Sequence, residues 1–138
     1  DVIKEITLPN GAAILNARDP MLVAMSQLCH GEVIYFSIDP DLPIIKEHRQ
    51  QGSGGISAKR AVLVRNGSIM LVDGVHETLL IHLAELFPIC GEARPEVEIE
   101  NVLAAIGAAW ALSILPDLMQ IGIETFGADQ FYQEMVEN

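Results

Sequence analysis

Apolar positions fall into two rhythms along this chain, short β-branched runs and longer stretches at helical spacing. Ala12 to Leu15 reads as a short buried strand that breaks into a loop at Asn16, Asp19 and Pro20. Asp19 suits a helix N-cap and Pro20 the first helical position. The helix that follows carries Met21, Val23, Ala24 and Leu28 on overlapping apolar faces and ends near His30-Gly31. Glu32 to Ile38 is a second strand, Asp39-Pro40 a turn, and Leu42 to Gln50 a second helix with Ile44, Ile45 and His48 near one face. This alternation predicts an α/β fold, a parallel sheet flanked by crossover helices. It places the loop Asn16–Asp19 at the carboxyl edge of the sheet, where ligands bind in open α/β folds.

The middle of the chain changes character. Residues 51–60 begin with Gln51-Gly52-Ser53-Gly54-Gly55 and read as a flexible Gly/Ser loop. Ala61 to Val64, Ser68 to Val72 and Glu77 to Ile81 are short strands separated by Asn66-Gly67 and Asp73-Gly74, both strong hairpin turns. The expectation is an antiparallel β-meander inserted beside the parallel core. Residues 84–98 read mostly as loop, closing with a strand at Val97 to Ile99. A helix over Asn101 to Ile114 follows, with Val102, Ala105, Ile106, Ala109 and Leu112 at helical spacing. Pro116 starts another, ending at Phe126-Gly127, and residues 127–138 form an acidic tail.

Half of the 138 residues are apolar, enough for one domain with a sizeable core. The net charge of −11 argues against a nucleic-acid binder, which needs clustered Lys and Arg. Cys29 and Cys90 lack the spacing of a disulfide framework or a zinc site, which fits a reducing cytoplasm. The uncharged, largely apolar run Val102 to Pro116 falls short of the ~20 residues that a membrane span requires.

Most chemical motifs fail on inspection. Gly52 to Arg60 is not a phosphate-binding loop, because Ala58 stands where Gly must precede Lys59 and Arg60 replaces the Ser or Thr. The four histidines lack metal-ligand spacing, and no serine sits in a GxSxG elbow. No catalytic or metal-binding residue is therefore assigned. Three polar residues remain. Asn101, at the expected helix start, serves either as an N-cap or as a carboxamide whose donor and acceptor match the N6–N1 edge of adenine. Asn16 and Asp19 serve either as turn and cap residues or as a ligand-side loop.

Two segments carry a family resemblance. Leu15-Asn16-Ala17-Arg18-Asp19-Pro20 resembles the LNADDP strand end of Mur-type ligases, with Arg18 in place of the first Asp. Glu98-Ile99-Glu100-Asn101-Val102-Leu103-Ala104-Ala105 resembles their NxxNxLAA helix start, with Glu98 in place of the first Asn. The segments 32–37 (EVIYFS), Asp39 to Pro43, 61–72 (AVLVRNGSIMLV) and Ile123 to Phe126 narrow the resemblance to the cyanophycin synthetases within that superfamily. It covers most of residues 11–126.

The resemblance implies that the chain is the C-terminal portion of a P-loop-type, ATP-binding central domain. The parent enzyme would use ATP and Mg²⁺ to activate a carboxylate as an acyl phosphate, which an amine of Asp or Arg then attacks. The phosphate-binding loop and magnesium site would lie before residue 1, so the fragment alone is expected to be inactive and to partner with the rest of the ligase. Asn101 would contact adenine, and Asn16 and Asp19 would lie on the nucleotide side. An exposed sheet edge would favour self-association into a homo-oligomer. The alternatives are a fragment of a peptidoglycan-precursor Mur ligase and a non-catalytic assembly domain.

Overall fold

The computed structural model describes residues 5–8, 11–26, 31–51, 59–88 and 94–125. Six strands form a single sheet in chain order: β1 (Glu5–Thr7), β2 (Ala13–Asn16), β3 (Val33–Ser37), β4 (Arg60–Arg65), β5 (Ser68–Asp73) and β6 (His76–His82). β2, β3 and β4 run parallel; β1 pairs antiparallel with β2, and β5 and β6 continue antiparallel from β4. The expected α/β class is what the chain adopts. The expected antiparallel meander is present and continues the sheet of the parallel core. β4 pairs with β3 on one side and β5 on the other, so one continuous sheet spans both halves. Asn66 and Gly67 both take positive φ, 53° and 75°, in the turn that reverses β4 into β5.

Alternate residues of the parallel strands enter two different cores, because side chains in a strand point to opposite faces. Ile14, Ile34, Phe36 and Val62 lie on one face beneath α4 (Glu96–Ala111). Leu15, Tyr35, Ala61 and Leu63 lie on the other, against Val23 of α1 (Pro20–Met25) and Ile44 and Ile45 of α2 (Pro43–Gln51). Burial on both faces is why these strands read as unbroken apolar runs. The stretch expected as a flexible loop over 51–60 is bounded by structure, since Gln51 ends α2 and Arg60 begins β4; 52–58 lie outside the described residues. Cys29, His30, Cys90 and the 127–138 tail also lie outside them.

The expectation of loop over 84–98 fails at its two ends, while 89–93 lie outside the described residues. Leu83–Leu86 form a short helix, α3, and α4 starts at Glu96, so Val97 to Ile99 are helical rather than extended. Residues 116–125 form a further helix, α5. Among the described residues no helix is long and apolar enough to cross a membrane.

One polar core contact makes stability depend on pH. His48 of α2 is buried, meets Tyr35 edge-on with ring centroids 4.8 Å apart, and its Nε2–H donates to the Arg60 carbonyl at 3.0 Å. Burial holds its pKa below the ordinary 6.5, and the bond to Arg60 only partly offsets this. A base with a depressed folded-state pKa contributes stability that is intact above 6.5 and is lost as the pH falls further. Urea midpoints measured from pH 7 down to pH 5 should therefore decline for the wild type. His48→Phe should show a shallower decline; equal slopes would remove His48 from the cause.

Candidate functional site

The parallel strands end at one edge, and the chain leaves β2 there through Asn16. Its carboxamide is 6% exposed and both of its polar ends are engaged. Oδ1 accepts the Arg18 backbone N–H at 2.9 Å, closing a tight turn, and Nδ2 donates to Glu100 Oε2 of α4 at 3.0 Å. The Arg18 guanidinium bonds Glu96 and lies 3.7 Å from Glu100. The bond from Glu96 raises the Arg18 pKa, outweighing burial, and the charges of Glu96, Glu100 and Asp39 add to it. Asp19 Oδ1 accepts from the N–H groups of Met21 (3.0 Å) and Leu22 (3.4 Å), so it caps α1. Asn16 and Asp19 thus act as turn and cap, and Asn16 also clasps the strand end to α4.

Asn101 lies elsewhere on the same helix. Because α4 begins at Glu96, Asn101 occupies its second turn and is not its N-cap. Its side chain lines a cavity of about 580 Å³ bounded by the end of α3, one face of α4, and α5. Glu98, one turn earlier, lines the same cavity; residues three apart share a helix face. The rest of the lining is apolar and includes Phe87, Ala105, Ile106, Ala109, Met119 and Gly122. Arg94 stacks over Phe87, 4.7 Å from guanidinium to ring centroid, and its Nε lies 3.7 Å from Glu98 Oε2. Gly122 is in the lining, and a Cβ there would meet no described atom within 4 Å.

The structure therefore brings Asn16 to Glu100, the neighbour of Asn101, and directs Asn101 into a cavity on a different face of α4. A second crevice, of about 530 Å³, opens beside Arg18 between the starts of α1 and α2, and Asn101 does not line it. Sequence reasoning missed Glu100, Glu96 and Gly122. For Glu96 a partial signal was present, since a Pro followed by Glu96 and Glu98 fits the acidic first turn of a helix. Gly122 had no signal of its own. Among the described residues no group of three or more His, Cys, Asp or Glu side chains could hold a metal ion.

No family model matches the chain. It is 34% identical over 125 residues to a cyanophycin synthetase of Synechocystis sp., 91% of this chain and 14% of that protein. It is 34% identical over 131 residues to a cyanophycin synthetase of Geminocystis herdmanii, 94% of this chain and 14% of that one. With that of Trichormus variabilis it shares 32% identity over 127 residues, 92% of this chain and 13% of the relative. The chain spans about 14% of the length of these relatives, and over nearly all of its own length it is a cyanophycin-synthetase-like region.

Proposed function

We propose that this chain is the base-binding part of an ATP-dependent amide ligase of the Mur type that resembles cyanophycin synthetase. The observation that carries the reading is the similarity to cyanophycin synthetases across more than nine-tenths of the chain. The cavity supports it. Its volume lies in the range of small-ligand sites, its walls are apolar, and two side chains at its edge offer hydrogen bonds. An adenine ring suits such a slot, with its faces against apolar side chains and its polar edge at Asn101.

In this reading Asn101 orients the base, Ala105, Ala109 and Gly122 leave room for it, and Phe87 and Met119 exclude water. Asn16, Arg18 and Glu100 hold the strand end and α4 in a fixed relation. ATP, when bound, supplies the phosphoryl group that activates a carboxylate for attack by an amine. The reading assigns the phosphates and magnesium to no described residue, and the isolated 138 residues would not turn over.

Adenosine titrated into the ¹⁵N-labelled chain is expected to bind with a Kd on the order of 1 mM, about −4 kcal/mol, and to shift the amides of Glu98, Asn101 and Gly122. Gly122→Leu places a side chain in open space, so it should weaken binding at least about tenfold while leaving the thermal midpoint unchanged or raised. No saturable shift at these amides, or full binding by Gly122→Leu, would overturn the reading. Adenosine silence together with concentration-dependent association would favour an assembly domain. The exposed side chains of Leu112, Leu115, Leu118 and Ile121 would suit that role.

A further inference from the structure

The two-residue turn between β4 and β5 places an asparagine directly before a glycine, and it does so at the surface. Asn66 is exposed and takes φ 53°, Gly67 takes 75°, and the Arg65–Ser68 pair closes the strands behind them. No described acceptor holds the Gly67 N–H. With no Cβ on Gly67, its nitrogen meets little steric hindrance on the way to the Asn66 carboxamide carbon. We propose that Asn66 is a site of spontaneous modification, deamidation through a cyclic imide, and that the product loosens α3 from the hairpin. Ring closure requires the turn to open, which a two-residue tip does at far lower cost than the strands behind it. The Gly67 nitrogen gives up its proton to solvent and bonds to Asn66 Cγ; the Cγ–Nδ2 bond breaks, and Nδ2 leaves as ammonia with a proton from solvent. Water then opens the five-membered ring at one of its two carbonyls. Opening at Cγ gives aspartate, and opening at the main-chain carbonyl gives isoaspartate, whose main chain is one carbon longer. One water enters, one ammonia departs, and nothing is oxidised or reduced.

The extra carbon matters because the turn is tied to the next element. The Gly67 carbonyl accepts the N–H of Leu83, the first residue of α3, at 2.8 Å, and Ser68 Oγ and His82 Nδ1 share a hydrogen bond of 2.6 Å beside it. Leu83 and Leu86 are buried, and Leu86 and Phe87 wall the cavity. A longer main chain at 66 displaces the Gly67 carbonyl, so Leu83 loses its acceptor.

The full chain, ¹⁵N-labelled, is held folded for weeks at mildly alkaline pH and then mapped by peptide mass spectrometry. The peptide that contains residue 66 should gain about 1 Da and separate into isoaspartate and aspartate forms. The Asn10-Gly11 pair is read on a different peptide. In the purified isoaspartate form the Leu83 amide, relative to the Ile34 amide of β3, should exchange with solvent at least about tenfold faster than in the fresh chain. Asn66→Asp carries the charge without the extra carbon and should leave that ratio within about twofold of the fresh chain. No mass gain at residue 66 in the folded chain overturns the modification site. An isoaspartate form whose Leu83 amide keeps its relative rate, or an Asn66→Asp variant that matches the isoaspartate form, overturns the coupling to α3.

Discussion

Gly107→Val should destabilise the fold by about 3 kcal/mol, the upper end of the cost of overfilling a packed core. Gly107 lies on the sheet-facing side of α4, where a Cβ would come within 2.8 Å of Ile14 Cγ2 and 3.8 Å of Ile34 and Val62. Ile14 is fully buried in β2 between neighbouring strands and has nowhere to retreat. Alanine should come out near neutral or slightly worse, because a helix gains about 1 kcal/mol from Gly→Ala and the contact removes a similar amount. Valine adds two methyl groups and a stiff χ1 to the same collision. The urea midpoint should fall with an unchanged slope. A valine variant as stable as the wild type would mean that α4 does not approach β2 this closely.

The second large effect is expected at the clasp. Asn16→Asp replaces the group that donates to Glu100 with one that carries the same charge, in a position 6% exposed and opposite a carboxylate 7% exposed. Arg18, 3.7 Å from Glu100, offsets part of the repulsion, and a loss of about 3 kcal/mol at pH 7 is expected. Two carboxylates this close hold a proton more strongly when folded than when unfolded. Raised folded-state affinity means stability that is present at low pH and lost as the pH rises. The deficit against wild type should therefore shrink as the pH approaches the ordinary carboxylate range, about 4. Asn16→Ala, which loses the hydrogen bond without adding charge, should show a smaller deficit with little pH dependence. A charge-independent deficit in both variants would argue for a packing defect instead.

The strands and turns whose signals are local were legible. The strand preceding Asn16, the Asp19-Pro20 cap and the Asn66-Gly67 reversal are set by neighbours in sequence. The start of α4 was not. Glu96-Val97-Glu98-Ile99-Glu100 alternates polar and apolar like an edge strand, and Glu100 is an improbable residue to bury. It is buried because Asn16, 84 positions away, donates to it, a contact that no local pattern displays. Once the helix begins at Glu96, the shared face of Glu98 and Asn101 follows from helical geometry alone. The cavity does not follow, since its far wall depends on how α5 returns against α4. Nor did the strand pattern tell which neighbours β4 would take, and a meander beside the core and a meander continuous with it read alike.

α4 covers the parallel strands on one face of the sheet, and its two ends are fastened to different places. Glu96 and Glu100 are tied to the β2 turn, while the Trp110 carbonyl accepts from Arg60, whose guanidinium stacks 4.8 Å from the indole and pairs with Glu32. Sixteen residues of helix make a stiff rod of about 24 Å between those anchors. A tilt imposed at the acidic end must reappear as sliding of the indole against the guanidinium. Since Trp110 is the only tryptophan, the chain carries its own optical gauge of what happens at the opposite end of the rod.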